Sequence, residues 1–316
     1  MKYLSKEWDV RMRRSGLGVG LKPDPRAEML DEALYAEVHE SKRRALVEMI
    51  RQVYAVPEEE TVRSIIQSKQ HAVEIGLITP VEADMDITRA KAWRAQIPPF
   101  DEEGIIQNFE RTLKEKEAEY QRSLPEEILR RVADLRILAL GYAAPDVHRD
   151  IVKWCEENRR YVEEVSRASN EQSKAAEAFL PMRTARLLHL HDAQVERVER
   201  DGGRLTLHIG GGDNHYSVLA VRLVGCEILK WEDPSGFYWL AHEIERLPDG
   251  RYSLGILFDG LKTLGEIELT TRDIEIDSPT TEEDLKAEDE KFRRLLANGI
   301  LRRVSDLKPR DADDSR

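Results

Sequence analysis

His189-Leu190-His191-Asp192 is the stretch of this sequence whose residue types come nearest to chemistry. Two imidazoles two positions apart on a strand project to one face, and a neighbouring carboxylate could supply a further metal ligand. His242-Glu243 could complete a site if its strand lay beside the first. The spacing argues against this. Ala193-Gln194 stand where a metallo-β-lactamase pattern needs more ligands, and His242-Glu243-Ile244-Glu245-Arg246 lacks the second histidine of a zincin. Asp192 also reads as turn chemistry at the entrance to a strand. His189, His191, Asp192, His242 and Glu243 are thus the metal candidates, and a structural role is the stronger reading for them.

A second group is aromatic. Trp231, Phe237, Tyr238 and Trp239 flank Asp233-Pro234-Ser235-Gly236, which reads as the turn of a hairpin. If exposed, Tyr238 and Trp239 could stack on a sugar or grip a partner peptide, although aromatics at such positions are more often core. Gly16-Leu17-Gly18-Val19-Gly20 lacks the preceding strand and following helix start that a phosphate loop requires, and reads as a flexible loop. Acidic runs at Glu58–Glu60 and Glu282–Asp284 suit helix N-termini before metal sites. Asp84 and Asp86 lack the glycine and distal glutamate of a calcium loop. The sequence contains no phosphate-loop lysine, Gly-x-Ser-x-Gly, Cys-x-x-Cys or His-Glu-x-x-His string. Catalysis is therefore the lesser expectation, and no cofactor is expected.

The elements that must position these residues change character near Pro181. Before it, apolar residues recur with helical period. Residues 1–23 read as irregular, and Asp24-Pro25 as a cap and first helical position for a helix to about Tyr54. Pro57 opens a second helix that stops at Gly76. Thr79-Pro80-Val81-Glu82 has capping-box spacing for a third, running through Trp93. Beyond Pro98-Pro99, a fourth carries Ile106, Phe109, Leu113 and Tyr120. Ser123-Leu124-Pro125-Glu126 starts an apolar helix ending at Gly141, expected at the centre of the helical core. The last long helix opens at Pro145 and fades after Val165. After Pro181 the period falls to two, with short Gly- and Asp-rich turns, predicting an antiparallel meander of six or seven strands to about Ile276, either sandwich or partly open barrel. Thr280 and Glu283 cap a final helix near 282–298 ending at Gly299, and the tail after Val304 has disordered composition. The expectation is an α+β chain with a helical domain 1–180, an antiparallel β domain 181–278 and a C-terminal helix and tail 279–316.

Charge bounds the partners. Asp and Glu exceed Lys and Arg by 61 to 49, a net charge of −12, which opposes non-specific binding to phosphate backbones, although Arg11, Arg13 and Arg14 form a small basic patch. Two cysteines, Cys155 and Cys226, in different patterns suit buried thiols in a reducing compartment. The start of the chain lacks a signal-peptide core, and no apolar run reaches membrane-span length. These readings predict a cytoplasmic location.

The opening Met1-Lys2-Tyr3-Leu4-Ser5-Lys6-Glu7-Trp8 is one element of a resemblance. The others are the segment from Leu124-Pro125-Glu126-Glu127-Ile128 to Leu140-Gly141-Tyr142-Ala143, then His191-Asp192, Trp239-Leu240 and Glu243-Ile244. Together they resemble an uncharacterised bacterial family, domain of unknown function 4085, over most of the chain to about residue 277. The glycine-rich stretch after Trp8 and a longer C-terminal extension depart from it. The resemblance implies an architecture, no mechanism and no functional residue to carry over. The expected function is a protein-interaction or adaptor module, in one version an immunity-like protein that neutralises a basic toxin or nuclease, with a metal-dependent enzyme as the alternative.

Overall fold

The computed structural model describes residues 1–94, 96–260 and 263–297. Along the chain these form α1 (Lys6–Ser15), β1 (Lys22–Pro23), a 3-10 turn (Pro25–Glu28), α2 (Glu32–Ala55), α3 (Glu58–Glu74), α4 (Pro80–Arg94), α5 (Glu102–Ser123), α6 (Glu126–Leu129), α7 (Leu135–Ala139) and β2 (Tyr142–Ala143). They continue with α8 (Pro145–Glu177), α9 (Met182–Leu187), β3 (Ala193–Asp201), β4 (Arg204–Gly212), β5 (Ala220–Val224), β6 (Glu227–Trp231), β7 (Tyr238–Arg246), β8 (Tyr252–Asp259), β9 (Leu264–Thr271), β10 (Asp273–Asp277) and α10 (Glu282–Ala297). Among the described residues, no helix is long and apolar enough to cross a membrane. Two compact units result: Met1–Val19 with Arg149–Glu288, and Gly20–His148 with the segment from Asp289.

In the helical unit, the capping box at the start of α4 forms as its spacing predicts. The Thr79 N–H donates to Glu82 Oε2 at 2.6 Å, and the Glu82 N–H to Thr79 Oγ1 at 3.2 Å. Gly76, at φ 72°, ends the α3 segment as expected. The apolar helix expected over 124–141 divides instead into α6 and α7. Asp134 adopts an extended conformation and its carboxylate accepts the Arg136 N–H at 2.9 Å, so it caps a new helix in the middle of the apolar run. Ile137 and Ala139 of α7 and Leu140 just after it still join Leu34, Val38 and Leu113 in one buried cluster. Gly141, at φ 86°, then turns the chain so that Tyr142-Ala143 pair in parallel with Lys22-Pro23. This small extended pair lies within the domain expected to be all-helical, one strand of it in the stretch read as irregular.

The other unit begins with a helix where an irregular segment was expected. Ser5 caps α1, and the i,i+4 pairs Glu7–Arg11 and Asp9–Arg13 lie along it, so the glycines begin only after the helix has closed. The long helix α8 runs to Glu177, well past Val165. A further short helix, α9, occupies the place where the first strand was expected, and the strands start at Ala193.

The sheet has eight strands in the order β10-β5-β4-β3-β7-β8-β9-β6, antiparallel throughout and not closed into a barrel. It departs from a simple meander because β6 and β10 exchange halves. Asp273 pairs with Val224 while Thr270 pairs with Glu227, so two strand connections cross from one half to the other at a shared corner. Gly225, at φ 63°, makes that corner, and Arg272 fills the space a side chain there would need. Val195, Leu207 and Leu223 of one half and Trp239, Ile256 and Leu269 of the other belong to a single buried cluster. Arg183 of α9 ties down the exit from β10, donating to the carbonyls of Ile276, Ser278 and Thr280 at 3.1, 2.8 and 3.1 Å. The cap of α10 sits one residue later than the spacing suggested: Thr281 and Asp284 exchange hydrogen bonds. The expected helix end at Gly299 and the tail after Val304 lie outside the described residues.

Candidate functional site

Three elements of the sheet-bearing unit converge on a cavity of about 370 Å³. From α8, Ser166, Ser169, Asn170 and Ser173 line one side, at the i, i+3, i+4 and i+7 positions of a single helix face. β7 contributes Leu240, Ala241, His242 and Ile244. The segment leaving α9 contributes Leu188 to His191, and Leu4 and Trp8 add an apolar edge from the α1 region. The Trp8 indole Nε1 donates to Ser166 Oγ at 3.2 Å, orienting that hydroxyl.

The residues singled out from the sequence fall in different places. His189 and His191 do not sit on a strand. They occupy the turn between α9 and β3, closed by the Ala193 N–H donating to the Leu190 carbonyl at 2.9 Å. Asp192 has φ 65°, a conformation that aspartate tolerates, in the turn that leads directly into β3, so its turn chemistry accounts for its place. Its carboxylate meets His191 Nδ1 at 2.9 Å, with both side chains largely exposed. His189 is brought to His242, their rings 6.2 Å apart and inclined at 66°. Glu243 points elsewhere. It is buried, and its carboxylate accepts the backbone N–H groups of Lys2 at 2.8 Å, Tyr3 at 2.7 Å, and Leu4. Among the described residues, no three His, Cys, Asp or Glu side chains come together in a group that could hold a metal ion.

The expected hairpin of aromatics is absent. β6 pairs with β9, and β7 with β3 and β8, so the Asp233–Gly236 turn joins strands that are not neighbours. Trp239 is fully buried, edge-on to Phe258 at 5.6 Å and to His242 at 5.9 Å, and its Nε1 has no hydrogen-bond partner among the described residues. Tyr238 is half-buried. Phe237 fills space left by Gly260 and Gly265, either of which would press a Cβ onto its ring.

His242 keeps some exposure to the cavity, but protein surrounds its ring. Burial, with His189 second, lowers its pKa from the ordinary 6.5 to about 4. The sign follows directly. Above pH 6.5 the ring is neutral folded or unfolded and contributes no pH dependence; between 6.5 and 4 only the unfolded chain takes up the proton. Stability should therefore fall as pH drops through that window, by about 3 kcal/mol in all. Denaturant titrations of the wild type and His242→Gln near either end of the window check this. The substitution should flatten the pH dependence, and equal slopes would contradict the assignment.

Sequence reading missed the polar face of α8. Its signal was present, since serines and asparagine recur at helical spacing where the apolar stripe fades, but the neighbouring exposed residues masked it.

These features define an α+β protein with a ligand-sized cavity beside a bent antiparallel sheet. The chain matches the family model described as "Protein of unknown function (DUF4085)" over residues 85–267, more than half its length, and belongs to that family. The matched span contains the 124–143 segment, α8 and the strands to Ile267. No curated protein and no solved structure matches it.

Proposed function

We propose that this protein works by binding, and that the cavity between α8, β7 and the α9–β3 turn is where a small molecule is held. The observation that carries the reading is the cavity itself, about 370 Å³ with a hydrogen-bonding helix face on one side and apolar side chains on the other. A metal-dependent enzyme draws less support, because Glu243 is occupied by backbone amides and Asp192 is turned to His191. A thermal-shift screen of chemically diverse small molecules against the whole chain tests binding. A compound at about 100 times its Kd should stabilise the fold by about 2.7 kcal/mol. Ser173→Phe, at an exposed position on the cavity rim, should fold normally and lose that response. A screen without any hit, or a variant that responds like wild type, would overturn the reading.

A protein-interaction or adaptor role is a second reading. It is supported by Met49, Val53 and Val56 of the α2 segment, exposed at i, i+4 and i+7 spacing, and by the surplus of carboxylates that would complement a basic toxin or nuclease. The free thiols of Cys155 and Cys226 fit a cytoplasmic setting for it. Affinity isolation from lysate should recover a partner with wild type and lose it with Met49→Glu/Val53→Glu. Identical recovery with both would exclude this face.

A further inference from the structure

Resting on the cavity reading above, the lining itself narrows the ligand. Of the eighteen described residues that line the cavity, none is Asp, Glu, Lys or Arg. The chain is 35% charged, so about six would be expected if the lining were drawn at random. An ion entering this space would lose water without gaining a carboxylate, ammonium or guanidinium counter-charge from the described lining, which is a costly transfer.

The α8 groups that line it are neutral and of mixed character, and at the α9–β3 turn His189 and His191 also line it, with His191 Nδ1 already met by the Asp192 carboxylate at 2.9 Å. The α8 hydroxyls and the Asn170 amide both donate and accept. His242, held deprotonated by burial, offers one ring nitrogen as donor and the other as acceptor. Opposite them, Leu180, Leu188, Leu190, Leu240 and Ile244 offer only apolar contact. A molecule matching both sides has an apolar body and a neutral group that donates and accepts hydrogen bonds at one edge.

We infer that the cavity selects an uncharged small molecule bearing an amide or hydroxyl group on an apolar ring or chain, and rejects carboxylates, phosphates and ammonium compounds.

A matched set of probes reads this out. 2-Naphthamide, 2-naphthoate and 2-naphthamidine share ring and shape and differ in charge. In calorimetric titrations of the full chain at neutral pH, the amide should bind tighter than either ion by on the order of ten-fold or more. Ser173→Phe should abolish the amide's binding. An ion that binds as tightly as the amide, and loses binding in Ser173→Phe, overturns the ligand class while leaving the cavity reading intact. An amide that fails to bind, or binds Ser173→Phe unchanged, also overturns the inference. The compound screen carries no charge restriction and judges the cavity separately.

Discussion

Replacing Trp239 with alanine is expected to destabilise the fold by about 3–5 kcal/mol, the range for truncating a buried large aromatic. The indole has no solvent exposure, and it meets Phe258 and His242 edge-on at 5.6 and 5.9 Å. Its backbone also anchors the joint between the two halves of the sheet, since the Asp192 N–H donates to the Trp239 carbonyl at 2.8 Å. Removing the ring leaves a cavity that the surrounding strands, held by their ladders, can fill only in part. Trp239→Phe should cost less, about 1–2 kcal/mol, because it keeps most of the apolar packing and removes an indole N–H that is buried without a partner among the described residues. Urea unfolding followed by circular dichroism measures both. The half-buried Tyr238 serves as the comparison, with an expected loss of about 1 kcal/mol or less on truncation to alanine. Equal losses at the two positions would contradict the assignment of Trp239 to the core.

Glu243→Ala is expected to cost about 2–3 kcal/mol by a different route. Three consecutive backbone amides, those of Lys2, Tyr3 and Leu4, donate to one buried carboxylate. Charge-assisted bonds of this kind are about twice as strong as neutral ones, and without the acceptor the amides must find water. They can do so only by lifting the segment from β7. The loss should therefore show as rapid hydrogen exchange at residues 2–4, beyond a simple drop in midpoint. Leu4 and Trp8 line the cavity, so the same substitution should weaken any ligand held there. Glu243→Gln should be intermediate, because it keeps one oxygen acceptor but turns an NH₂ group toward amide donors. Unchanged protection at residues 2–4 in Glu243→Ala would refute this account of the contact.

Much of the architecture could be read locally. The Thr79–Glu82 capping box forms as spacing predicted, because its two bonds join residues three apart and depend on little else. Where a local signal was overlooked, it had been in plain view. Asp134 is a good N-cap inside an apolar run, and Ser5 with its charged i,i+4 partners announces α1. The candidate site was legible in fragments only. His242 and His189, two of the metal candidates, do come together, but as imidazoles facing a cavity, with Glu243 turned to backbone amides.

By itself the sequence determined that a mainly helical stretch is followed by antiparallel strands, because amphipathic period is a property of residues close along the chain; the switch falls at Ala193, after α9, and not at Pro181. It also carried the family membership. Only the tertiary structure decided which strands are neighbours, that β6 and β10 exchange halves, and that no hairpin joins Trp231 to Tyr238. Alternation tells which face of a strand is buried but is silent on what lies beside it. The cavity arises from the same kind of long-range choice: the serines of α8 meet His242 and Leu240 only because the fold brings α8 and β7 to one place.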